Sequence, residues 1–104
     1  MSQGRQKSSQ VYVLRRTHDV TVHVFMTRGD DVLEILPTNG EDEWRLPSGK
    51  YVVASLAKSG DRVKTTVWCY EIGEMAIRRE IATFNSDSEE DALMLIRAKL
   101  VYQC

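Results

Sequence analysis

Three groups of side chains in this 104-residue sequence have types and spacings that could do chemistry: two histidines, two cysteines, and a hairpin sequence that sets aromatic rings beside arginine. His18 and His23 are five apart, so on a continuous strand they point to opposite faces and cannot share a metal ion. No cysteine pair lies near them to complete a zinc site. His23 sits within VTVHVFM on the side shared with Thr21 and Phe25, the pattern of a half-exposed strand residue rather than of a general base. Cys69 lies inside a strand pattern and Cys104 ends the chain. That spacing resembles neither a disulfide framework nor a zinc knuckle, and it predicts one buried thiol and one terminal thiol. A Cys69–His23 nucleophile and base would require a proximity that the spacing does not supply.

The third group is TVWCYEIGEMAIRRE, Thr66 to Glu80, which reads as two strands folded back at Gly73. A two-residue turn at Gly73-Glu74 makes Tyr70 face Ile77 and Trp68 face Arg79. Facing residues share a side. One face then carries Trp68, Tyr70, Ile72, Met75, Ile77, Arg79 and Ile81, and its apolar content makes it the expected seat of a helix. The same face supports a different chemistry. Single-stranded nucleic-acid binders stack bases on aromatic rings and meet phosphates with cations. Lys64, Trp68, Tyr70 and Arg79 supply that combination, with Arg15 and Arg16 adding charge if their strand lies alongside.

Acidic residues gather in two loops, Asp30 with Asp31 and Glu41, Asp42 and Glu43 together. Neither has the ligand spacing and closing glutamate of a calcium loop. Glycine-rich phosphate loops and the aromatic RNA-binding signature are both missing from the sequence. No cofactor and no metal is expected, and the sequence offers no convergent catalytic set.

The elements that must position these residues are mostly strands. Residues 1–10 are polar and read as a flexible tail, and residues 11–104 as a single α+β domain. Alternating segments rich in β-branched residues follow at Val11–Arg16, Val20–Thr27, Val32–Leu36, Tyr51–Ala57, Arg62–Ile72 and Met75–Phe84, with WRL at Trp44–Leu46 as a further short strand. Gly29 in RGDD can close a tight hairpin. In the last twenty residues the period changes from two to about 3.6, with Leu93, Ile96 and Leu100 on one stripe. Ser86 and Glu89 fit a capping box for that helix. The predicted fold is an antiparallel β-sheet or small β-barrel of six to seven strands with one C-terminal amphipathic helix packed on it.

Eight residues, EWRLPSGK from Glu43 to Lys50, resemble the strand and turn that open Nudix hydrolases. The glutamate-rich catalytic helix of that family does not follow; the strand YVVASLA stands in its place, so no membership is assigned.

A net charge of −1 argues against a general polyanion binder, although residues 1–28 carry five basic and one acidic side chain and residues 29–49 one basic and six acidic. The start MSQGRQKSSQ has no apolar stretch and no run approaches membrane-helix length, so a cytoplasmic, reduced setting is the default. Together these features favour a small non-catalytic module that binds an unknown protein partner, with a homodimer as one form of that reading. Its contact points would be Arg28, Asp30, Asp31, Glu41, Asp42 and Glu43, borne on loops of a rigid sheet. The alternative is a module that binds single-stranded nucleic acid through the aromatic and basic face.

Overall fold

A computed structural model of the chain describes residues 11–38 and 42–104. The tail expected at residues 1–10 and the contact residue Glu41 lie outside the described residues. Among the described residues seven strands appear in the order β1 (Tyr12–Arg15), β2 (Val20–Arg28), β3 (Asp31–Ile35), β4 (Glu43–Leu46), β5 (Gly49–Ser59), β6 (Arg62–Ile72) and β7 (Ala76–Ser86). A helix α1 (Glu89–Ala98) and a 3-10 turn (Leu100–Gln103) complete the chain. The strands form an open five-stranded antiparallel sheet, β3-β2-β5-β6-β7, and a separate two-stranded ribbon, β1-β4. The sheet alternative of the fold expectation is therefore the one realised.

The helix covers one face of the sheet and the ribbon covers part of the other. Phe25, Val52, Ala54, Leu56, Val63 and Val67 meet Ala92, Ile96, Leu100 and Val101 on the helix side. Val24, Tyr51, Val53, Tyr70 and Ile72 meet Trp44 and Leu46 on the ribbon side. Strand β5 lies between these two cores, which explains why Tyr51, Val52, Val53 and Ala54 are all buried instead of alternating. The ribbon is anchored by polar atoms as well: Trp44 Nε1 donates to the Ile35 carbonyl at 2.8 Å, and the Tyr51 hydroxyl to that of Pro47 at 2.7 Å.

Two hairpins close as their glycines dictate. Arg28 pairs with Asp31 and Ser59 with Arg62, leaving two-residue turns led by Gly29 and Gly60 at φ of 63° and 65°. A side chain at those positions would meet the left-handed penalty. The third hairpin departs from the expected two-residue turn. Ile72 pairs with Ala76, so Gly73, Glu74 and Met75 form the turn, and Gly73 does not take the positive φ that a tight two-residue turn requires at its first position. One extra turn residue inverts the side-chain pairing of the next strand. Trp68 therefore faces Glu80, not Arg79, and Tyr70 faces Arg78, not Ile77. A β-bulge follows, since Val67 pairs with Ala82 while Trp68 pairs with Glu80, and Ile81 is the unmatched residue.

The helix seat is corrected too. Trp68, Tyr70 and Ile72 lie on the ribbon side, and α1 packs on the opposite face, where β6 offers Val63, Val67 and Cys69. Ser88, not Ser86, caps the helix: its Oγ accepts from the Asp91 amide at 3.1 Å. Glu89, Glu90 and Asp91 occupy the first turn and Arg97 the last, matching the helix dipole. Ala92 and Ile96 are buried at i and i+4, and Leu100 continues the stripe from the 3-10 turn.

Cys69 and Cys104 form a disulfide, which overturns the expectation of two free thiols. The bond closes a loop 35 residues long through tertiary proximity alone. No helix among the described residues is long and apolar enough to cross a membrane.

Candidate functional site

Among the described residues β7 has one neighbour only, β6, so one edge of its eleven residues is unpaired by them. Such an edge presents a row of backbone donors and acceptors to any strand of suitable shape. The first five residues, Ala76–Glu80, are exposed throughout, and beyond the bulge Ile81, Ala82 and Phe84 turn in against the helix-side core. Ile77 is 55% exposed and Met75, in the turn, 72%. Opposite residues share a side, so Ile77 and Arg79 belong to the helix side with Glu71 and Cys69, and Arg78 and Glu80 to the ribbon side with Tyr70 and Trp68.

On the ribbon side a second feature adjoins this edge. The Arg78 guanidinium stands over the Trp68 ring, 6.0 Å from its centroid, and Tyr12 meets Tyr70 edge-on with centroids 5.7 Å apart. A hydrogen bond with Tyr70 raises Arg78 above the ordinary guanidinium value. Burial, then the neighbouring Tyr70, raise the Tyr12 phenol above its usual value. Lys64, Trp68 and Tyr70 share this face, and Arg78 takes the place expected for Arg79, which lies on the other side of the sheet. Strand alternation would have found Arg78 had the turn length been known.

The remaining candidates are placed as follows. Arg28, Asp30 and Asp31 are exposed at the β2–β3 hairpin tip. Arg16 donates to Asp42 at 2.7 Å, while Glu43 lies 3.9 Å from Arg15 and 3.4 Å from Arg45. Two residues expected to contact protein thus hold the two arginines expected to contact nucleic acid, along one end of the ribbon. An open hollow of about 520 Å³ adjoins them between Arg16, His18, Asp19 and Asp42.

His23 lies on the helix side. Its Nδ1 is 2.8 Å from Oε2 of Glu34, whose Oε1 accepts from Arg97 Nη2 at 2.7 Å. The group ties the β2–β3 hairpin to the end of α1, and the Arg97 guanidinium covers Phe25 at 5.4 Å. A histidine oriented by a carboxylate is half of a nucleophile-activating pair. The thiol that could have completed it, Cys69, is bonded to Cys104 and has no thiolate to offer. Among the described residues no group of three or more histidine, cysteine or acidic side chains is arranged to hold a metal ion.

No protein-family model, curated protein or solved structure matches the chain. The function must be argued from the site itself.

Proposed function

We propose that this protein is a small non-catalytic binding module that takes a protein partner by strand addition to β7. The observation that carries this reading is the eleven-residue edge left unpaired among the described residues, whose first half is exposed on both faces and bears Ile77. In strand addition the backbone supplies affinity, and alternate side chains supply specificity. The charges of Arg78, Arg79 and Glu80 bar indiscriminate sheet extension and select a strand of complementary order. The loop residues Arg28, Asp30 and Asp31 stand at the opposite edge of the sheet, beside β3, and would serve a separate contact.

Selection of displayed peptides on the immobilised protein tests the reading. Bound peptides should be extended, should slow hydrogen exchange of the Ala76–Glu80 amides, and should be lost on Ile77→Lys. Peptides that protect other amides and ignore Ile77→Lys would defeat it.

A second reading is favoured by the stacking of Arg78 on Trp68. With Lys64 on the same face, this pair supplies a base-stacking surface beside cations, as a single-stranded nucleic-acid site requires. Arg15 and Arg16 contribute less to it, being tied to Glu43 and Asp42. As for setting, the Cys69–Cys104 bond favours an oxidising environment over the reducing cytoplasm first expected, because such bonds persist where thiols are not kept reduced.

A further inference from the structure

From Ala76 to Ala82, β7 reads Ala76-Ile77-Arg78-Arg79-Glu80-Ile81-Ala82, an order that is nearly the same in both directions about Arg79. We infer that the partner of this edge is a second copy of the chain, paired antiparallel through β7 with Arg79 on the two-fold axis. The inference rests on the strand-addition reading and names its partner.

An isologous interface must be complementary to itself. In an antiparallel pair centred on Arg79, Arg78 of each copy faces Glu80 of the other, so two opposite-charge pairs form. Ile77 faces Ile81, the last residue before the bulge takes the strand out of register. Facing residues share a side, and the faces of the monomer already obey that condition. Arg78 and Glu80 both lie on the ribbon side. Ile77 faces Glu71, which lies on the helix side with Cys69, and Ile81 packs against the helix-side core. Self-pairing would set the exposed Ile77 of one copy beside the half-buried Ile81 of the other, continuing the helix-side core across the axis. Shifting the pairing by one residue destroys these matches, because Ile77 then meets Glu80, or Arg78 meets Ile81. The bulge at Ile81 ends the regular stretch, confining the pairing to this short segment. The product is a continuous ten-stranded sheet with helices on one face and ribbons on the other.

The register contains one conflict, Arg79 against its own copy, and this makes it testable. Sedimentation of the full chain should show a monomer–dimer equilibrium. Arg78→Glu and Glu80→Arg each replace two attractive pairs by two repulsive ones and should weaken the dimer on the order of thirtyfold. Mixed in equal amounts, those two variants regain both attractions and should form a heterodimer. Arg79→Thr removes the conflict and should tighten the wild-type dimer. Circular dichroism of each variant separates lost pairing from lost folding, and Arg78→Gln with Glu80→Gln serve if a charge reversal unfolds the chain. A wild-type chain that stays monomeric at its highest soluble concentration overturns the inference, as does a dimer indifferent to these changes. A monomer that still captures extended peptides on β7 loses self-pairing and leaves the edge as the binding site.

Discussion

Cys69, on the helix-side face of β6, is covalently joined to Cys104, the last residue of the chain, with their Cα atoms 5.3 Å apart. The bond fastens the 3-10 turn that carries the buried Leu100 and Val101 onto the sheet. Closing a loop of 35 residues is worth about 3–4 kcal/mol on the chain-entropy account. Cys104→Ser, or reduction of the wild-type protein, should lower the unfolding free energy by a corresponding amount and the urea midpoint with it, while the slope rises because the unlinked unfolded chain exposes more surface. An unchanged midpoint would mean that the helix and turn hold their place without the bond.

Ile77 and Ile96 distinguish the observed hairpin from the one with a two-residue turn. Ile96 is fully buried, so Ile96→Ala should cost about 2–5 kcal/mol in unfolding free energy. Ile77, at 55% exposure, should cost well under that when changed to Ala, of order 0.5 kcal/mol in the monomer. Equal losses at the two sites, measured by chemical unfolding at low protein concentration, would restore the register of the two-residue turn, with Ile77 buried beside Tyr70.

Glu34 links His23 and Arg97 across three elements. All three side chains are partly open to water, so screening reduces what the pairs contribute. Glu34→Gln should destabilise by about 1 kcal/mol, with the difference shrinking as salt is added. A salt-independent loss would point to packing in place of charge.

Tyr12 and Tyr51 are both raised above the ordinary phenol value, Tyr51 by burial and Tyr12 by burial followed by Tyr70. The folded protein thus holds these protons more tightly than the unfolded chain does. Stability from this source is complete below the unfolded phenol value near pH 10 and is lost as pH rises through the folded values. Unfolding should therefore become easier in strong alkali, with tyrosinate absorbance rising together with loss of structure. Tyr12→Phe should flatten that fall. A phenol titration complete well before unfolding would count against it.

Trp68 is the tryptophan that can report on the aromatic and basic face, since Trp44 is buried and bonded to Ile35. With the edge as the binding site, mixed single-stranded DNA and RNA should leave its fluorescence unchanged. Saturable quenching that fades with salt, and disappears in Arg78→Ala, would transfer the function to the nucleic-acid reading.

Local chemistry determined much of this molecule from sequence alone. Gly29 forced a tight hairpin, alternation at Val20–Met26 marked a two-faced strand, and Arg62–Ile72 was legible to its ends. The change of period after Asn85 marked the helix, because 3.6-residue spacing serves no strand. The unbroken apolar run at Tyr51–Ala54 also held the signal that both faces of β5 are covered. Three matters were decided only by tertiary structure. Gly73 can enter a turn of two residues or three, and that single step determines whether Arg78 or Arg79 joins Trp68. The ribbon β1-β4 is built from segments far apart in the chain, so its occupation of the Trp68, Tyr70 and Ile72 side, which sends the helix to the other, is a contest between surfaces that no local pattern records. Cys69 and Cys104 meet because the helix returns the chain end to β6, and spacing in sequence carries no trace of that return.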